Sequence, residues 1–138
     1  MVLKDLASIG IDPADAVASK PLHETEAFVA YMYRVASERD ATARLGYSFW
    51  AEGSYESIED LVATAERDLG LEDRQMMFFR EHSTIDVAHF DQVKKVIAQF
   101  CEHPAAQEEV SEVLRTSLYL TGHIADGMAR RHLARRAA

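Results

Sequence analysis

An all-α bundle is the fold class this sequence predicts, on three observations. No segment alternates apolar and polar residues over the length of a strand. The 3 prolines and 6 glycines fall mostly at seams between long uninterrupted stretches. Within those stretches apolar residues recur at three- and four-residue steps, which places them on one helix face. No internal repeat is present. The 138 residues are expected to form a single domain over 1–138. A short N-terminal helix and linker over 1–20 would lead into a bundle over 21–135.

The elements follow in order. "GIDPADAVASKP" (10–21) reads as a short helical turn and a linker. Pro21 opens a helix through "LHETEAFVAYMYRVASERD", where its missing N–H does no harm. A second helical stretch runs from near Ala41 to Leu69, bends at "EGS" (52–54), and is closed by Gly70. A third runs from near Glu72 to Glu102, with a kink expected near His82. Pro104 opens the last, to about Arg135.

Composition excludes several classes of function. A net charge of −8 argues against a nucleic-acid phosphate surface or an anionic membrane as partner. The basic tail "ARRHLARR" is short and suits the C-terminal end of a helix dipole. The single cysteine, Cys101, excludes an internal disulfide framework and fits a reducing compartment. No apolar run approaches the ~20 residues of a membrane span, and no signal-peptide core stands at the N-terminus. The cytoplasm is therefore the expected address.

One helix carries chemistry. In "REHSTIDVAHFDQVKKVIAQF" (80–100), His82, Asp86 and His89 fall within roughly 60° of helical arc. Val93, Val96, Ile97 and Phe100 share that direction, whereas Asp91, Lys94 and Lys95 lie opposite. Three ionisable groups thus continue the centre of an apolar stripe. A buried carboxylate needs compensation, since losing its hydration costs several kcal/mol. Two compensations fit the residues. One is a hydrogen-bonded cluster, with Asp86 accepting from both imidazoles. The other is a divalent metal, because carboxylate-x-x-His on an inward helix face is the ligand element of di-iron bundles, and "DVAH" has that spacing. His82 and His89 are ~10 Å apart along the axis, too far for one ion but not for two. Carboxylate and imidazole donors without cysteine favour iron or manganese, with zinc also compatible.

A further carboxylate is available at Glu52, in "SFWAEGSYES". Leu45, Ser48 and Phe49 form a stripe that leads into it. Beyond it, Glu56, Glu59 and Glu66 share its direction, while Tyr55, Ile58, Leu61, Val62 and Ala65 mark a different, buried face. A bend at Gly53 could turn Glu52 either way, so spacing leaves it undecided.

Taken together, "GIDPADAVASKPLHETEAFVAYMYRVASERDATARLGYSFWAEGS" followed by "MMFFREHSTIDVAHFDQV" resembles the haem-oxygenase-like di-iron oxidases. These are iron-containing redox enzymes related to the thiaminase-II-like and quinone-cofactor-synthesis folds. The His-x3-Asp-x2-His run, with a glutamate about thirty residues upstream at a Glu-Gly step, carries the resemblance. It implies a helical bundle binding two non-haem irons that activate O2 against small acids, amines or amino-acid-like substrates. It also implies Glu52, His82, Asp86 and His89 as metal ligands. The resemblance covers the C-terminal half of a family member, whose earlier helices supply another glutamate and another histidine. A second chain, most simply in a homodimer, or solvent and substrate would then complete the site. The proximal haem histidine of haem oxygenases belongs to that other half, so haem is not expected.

Other residues are set aside. His23, Glu24 and Glu26 stand at a helix start, where acidic residues answer the dipole. His123 and Asp126 project away from the apolar face of the last helix, formed by Val110, Val113, Leu114, Ser117, Leu118, Thr121, Ile124, Ala125 and Met128. His103 precedes Pro104 as a turn residue, and His132 lies near a frayed end. "QMMFF" (75–79) and "FVAYMY" (28–33) read as core, or as the lining of an apolar substrate pocket. Tyr47, Trp50 and Tyr55 flank Glu52, but spacing selects none as a redox partner. The functional expectation is a non-haem iron oxidase acting on a small molecule. The alternative is a non-catalytic metal- or small-molecule-binding dimerisation module of the same fold.

Overall fold

In the computed structural model, residues 1–137 are described, except for the side chains of 55–57, 83 and 84. The side chains of Tyr55 and Glu56, expected on different faces, thus lie outside the described residues. The elements are α1 (Val2–Ser8), α2 (Pro13–Ala18), α3 (His23–Glu38), α4 (Leu45–Gly53), α5 (Tyr55–Leu69), a 3-10 turn (Asp73–Gln75), α6 (Met77–Phe100) and α7 (Pro104–Arg136). Among the described residues no strand occurs, so the architecture is the all-α one expected. None of these helices is long and apolar enough to cross a membrane.

Local chemistry sets the boundaries. Asp12 caps α2, its side chain accepting from the Ala14 N–H at 2.8 Å. Gly70 ends α5 in the left-handed region at φ 63°, which a side chain would disfavour. The Leu71 N–H then reaches back to the Glu66 carbonyl at 2.9 Å. The second stretch starts later than the sequence predicts, because the Asp40 carboxylate captures the backbone N–H and hydroxyl of Thr42 at 2.9 and 2.7 Å. That turn delays the helix to Leu45. Helix α6 is uninterrupted through His82, where a kink was expected. No proline or glycine lies between Met77 and Phe100, and α6 runs through.

Two compact units form, and both α4 and α6 contribute residues to each: Met1–Lys20 with Ala51–Asp91, and Pro21–Trp50 with Gln92–Ala138. In the second, α3 and α7 pair antiparallel. Glu24 meets Arg130 at one end, and Arg39 meets Glu112 through two 2.8 Å hydrogen bonds at the other. Val35, Ala43 and Val113 form the core, with Tyr31 and Tyr47 packed against it. The first turn of α4 crosses α7 at Gly46, which touches the Val110 and Leu114 backbone. The face of α7 is narrower than its stripe predicts. Val110, Val113 and Ser117 are buried, while Leu118 and Met128 are 48% and 57% exposed. A 16-residue partner, α3, cannot cover the full breadth of a 33-residue helix.

Ser117 joins α4 to α7. Its hydroxyl accepts from Trp50 Nε1 at 2.7 Å and donates to the Val113 carbonyl at 2.6 Å. Ser117→Ala strands a partly buried indole N–H, and a loss of about 1–3 kcal/mol is expected in urea unfolding. The Arg39–Glu112 pair has a pH signature. Hydrogen bonding to Arg39, followed by its charge, holds the Glu112 carboxyl below its ordinary value. A carboxyl depressed on folding stabilises fully above its unfolded pKa and stops doing so as pH falls through the folded one. The stability gap between wild type and Glu112→Gln should therefore be small, because the pair is exposed, and should close in acid. Thermal scans across that range check it.

In the first unit, α1 packs on the 3-10 turn and Met76 is buried. Arg80 lies 2.9 Å from Glu66 and 3.0 Å from Asp73. Leu61, expected inside, is 68% exposed, because α5 turns Glu66 toward Arg80 instead. The stripe on α6 also departs from expectation. Val93 and Ile97 are half-buried, but Val96 and Phe100 are 36% and 59% exposed.

Candidate metal centre

Two helix segments of the first unit bring the donors together. Asp86 and His89 are three residues apart on α6, and therefore neighbours on one face. Glu52 arrives from the last turn of α4. There Gly53 permits a close approach, since a Cβ at that position would stand 2.8 Å from the Phe90 ring. Glu52 precedes Gly53 and His89 precedes Phe90, so one close crossing sets both contacts.

One donor atom each from Glu52, Asp86 and His89 lies within 4.8 Å of the others. Three donors ~2.1 Å from a shared ion stand roughly 3–3.6 Å apart, so the side chains would draw together when an ion binds. Two carboxylates and an imidazole are a chemically apt set for iron, manganese or zinc. Asp86 is buried, with 7% of its surface exposed. The side chains of Glu52 and His89 are 29% and 50% exposed, so the group opens on one side. His89 Nδ1 and Glu52 Oε2 are hydrogen-bonded at 3.2 Å.

His82 is placed differently. It is outside the 4.8 Å group, and its Nδ1 hydrogen-bonds to the Phe78 carbonyl at 2.6 Å. A carbonyl only accepts, so Nδ1 carries the proton and a neutral ring keeps its lone pair on Nε2. The Phe78 ring lies against it at 4.2 Å between centroids. The alternative compensation was a cluster with Asp86 accepting from both imidazoles; here the Nδ1 of His82 goes to Phe78 and that of His89 to Glu52. The open question at Glu52 is resolved by the bend, which turns it toward Asp86 and His89.

The residues set aside are accounted for. Glu24 is held below its ordinary value, first by its own backbone N–H and then by Arg130. His123 is half-buried and Asp126 exposed, 3.8 Å apart. Tyr47 and Trp50 are engaged with each other edge to face at 5.5 Å. Sequence reasoning missed Asp5, whose carboxylate accepts from the Phe78 N–H at 2.8 Å, and nothing in the local pattern signals that contact.

An all-helical fold with a carboxylate–histidine group is a framework able to hold a metal ion. The comparisons with known proteins narrow it. The sequence model of a family described as an iron-containing redox enzyme, a haem-oxygenase type, matches residues 1–122, and the chain belongs to that family. A crystal structure from Shewanella denitrificans OS217, of a domain of unknown function with a heme oxygenase-like fold, is similar at 36% identity and a TM-score of 0.91. The match covers 99% of this chain and 59% of that one, so this chain spans under two thirds of its length. No curated protein matches the chain.

Proposed function

We propose that the chain binds non-haem iron through Glu52, Asp86, His89 and His82, as part of an oxidase that activates O2 on a small organic substrate. The observation that carries this reading is the convergence of Glu52, from a separate helix, on the Asp86/His89 pair. Spacing within α6 alone brings no third donor there. When bound, iron supplies the redox capacity that these side chains lack. The chain's own residues do the rest. Asp86 forms the buried wall, fixing one negative charge where water is scarce. Glu52 and His89 form the open side, and the groups that now share a hydrogen bond would be the ones to hold the iron there.

Three clustered donors leave room for more. A second copy of the chain is the simplest source of further ligands. The half-exposed His89 also supports a second reading, in which the chain holds a metal without O2 chemistry.

The test loads the purified protein anaerobically with Fe(II), then measures metal content and light-scattering mass on the same sample. Oxygen uptake with a reductant follows. Stoichiometric iron in a dimer, with uptake lost in Asp86→Ala, is the expected result. Iron bound without uptake would leave the second reading. Protein that stays iron-free would remove both.

A further inference from the structure

We propose that Asp5 on α1 is a positioning residue for His82, acting through Phe78. Three contacts in the first unit carry this. The first-turn N–H groups of a helix have no partner within the helix, and Phe78 stands in the first turn of α6. Its N–H is taken by Asp5 Oδ2, some seventy residues away in sequence, at 2.8 Å. The carbonyl of the same residue accepts from His82 Nδ1 at 2.6 Å, and its ring covers the imidazole. One residue thus receives the cap from α1 and sets both the tilt and the protonated nitrogen of the histidine.

The burial of Asp5 supports this. Its other oxygen, Oδ1, is buried without a hydrogen-bond partner among the described residues. A half-satisfied carboxylate is an unfavourable way to hold a short helix in place, and such groups call for a reason. Apolar side chains around it, Leu6, Ile9 and Phe79, would dock α1 without any acid. A second polar tie, Gln75 Nε2 to the Ser8 carbonyl at 3.3 Å, already fixes the far end of α1. What only Asp5 supplies is the acceptor for Phe78. The consequence is a ring that keeps a proton on Nδ1, so that its neutral form presents the Nε2 lone pair to a cation. Partners behind a metal-ligating histidine act in this way.

The role in metal affinity rests on the iron reading above, but the tautomer does not. Long-range 1H–15N correlation spectra of the metal-free protein, at a pH where the ring is neutral, report which nitrogen of His82 is protonated. Wild type should show Nδ1–H. Asp5→Ala should move the population toward Nε2–H. Asp5→Asn, whose amide oxygen can still accept from Phe78, should restore Nδ1–H. Zn(II) titration should then find Asp5→Ala weaker by about 10–100-fold and Asp5→Asn close to wild type. Should Asp5→Ala not fold, Asp5→Leu, which keeps the bulk and lacks any acceptor, supplies the same contrast. Nε2–H in the wild type, an unchanged tautomer in Asp5→Ala, or Asp5→Asn behaving as Ala would each overturn the proposal. The expected spectra in a protein that binds no metal would instead sink the iron reading and leave this one standing.

Discussion

Asp86→Asn should stabilise the metal-free protein and destabilise it relative to wild type once a divalent metal is added. Without a cation, a carboxylate that is 7% exposed stands beside a second carboxylate, Glu52. The neighbouring His89 gives its Nδ1 to Glu52 and not to Asp86. Removing one negative charge at constant shape should then raise Tm by roughly 3–6 °C, about 1–2 kcal/mol. Saturating metal reverses the order. A ligand at one hundred times its Kd stabilises wild type by about 2.7 kcal/mol, a gain the variant loses with its donor. Scanning calorimetry with Zn(II) and with chelator reads both arms. If metal shifts neither protein and the variant is the less stable, Asp86 is a structural acid.

Gly46→Ala should produce the largest purely structural effect, a loss of about 3 kcal/mol or more. The added Cβ would meet the Val110 carbonyl oxygen and stand 2.6 Å from the Leu114 backbone nitrogen. Backbone on both sides cannot turn away, so α4 must lift from α7 beside the Val35–Ala43–Val113 core. Urea unfolding should show a lower midpoint at unchanged slope, and a change within 1 kcal/mol would mean the crossing is looser than it looks. Gly53→Ala is milder by the same physics. Its obstacle is the edge of the Phe90 ring, which can swing aside.

The helices were legible because their ends are written in residues with restricted backbones. Pro21 stands just ahead of α3, Gly70 closes α5 and Pro104 opens α7. Asp86 and His89 were legible for a similar reason, since three residues along a helix fix a shared face. Glu52 was not legible from spacing, because its direction depends on a bend whose angle no local pattern states. The resemblance pointed to it, and the fold brings it to the other two. Asp5 was invisible because its partner lies across the unit, and capping by a distant side chain leaves no periodicity. The α6 stripe shows a complementary limit. Periodicity identified a face that wants cover, but Val96 and Phe100 remain exposed within this chain.

The sole thiol offers a practical handle. Cys101 is 2% exposed just past the end of α6, and its carbonyl accepts from Gln107 Nε2 at 3.0 Å. A sulfhydryl so enclosed reacts with an alkylating reagent only when the α6–α7 junction comes apart. Its modification rate is therefore a clock for breathing at that corner, readable by mass spectrometry without any introduced label.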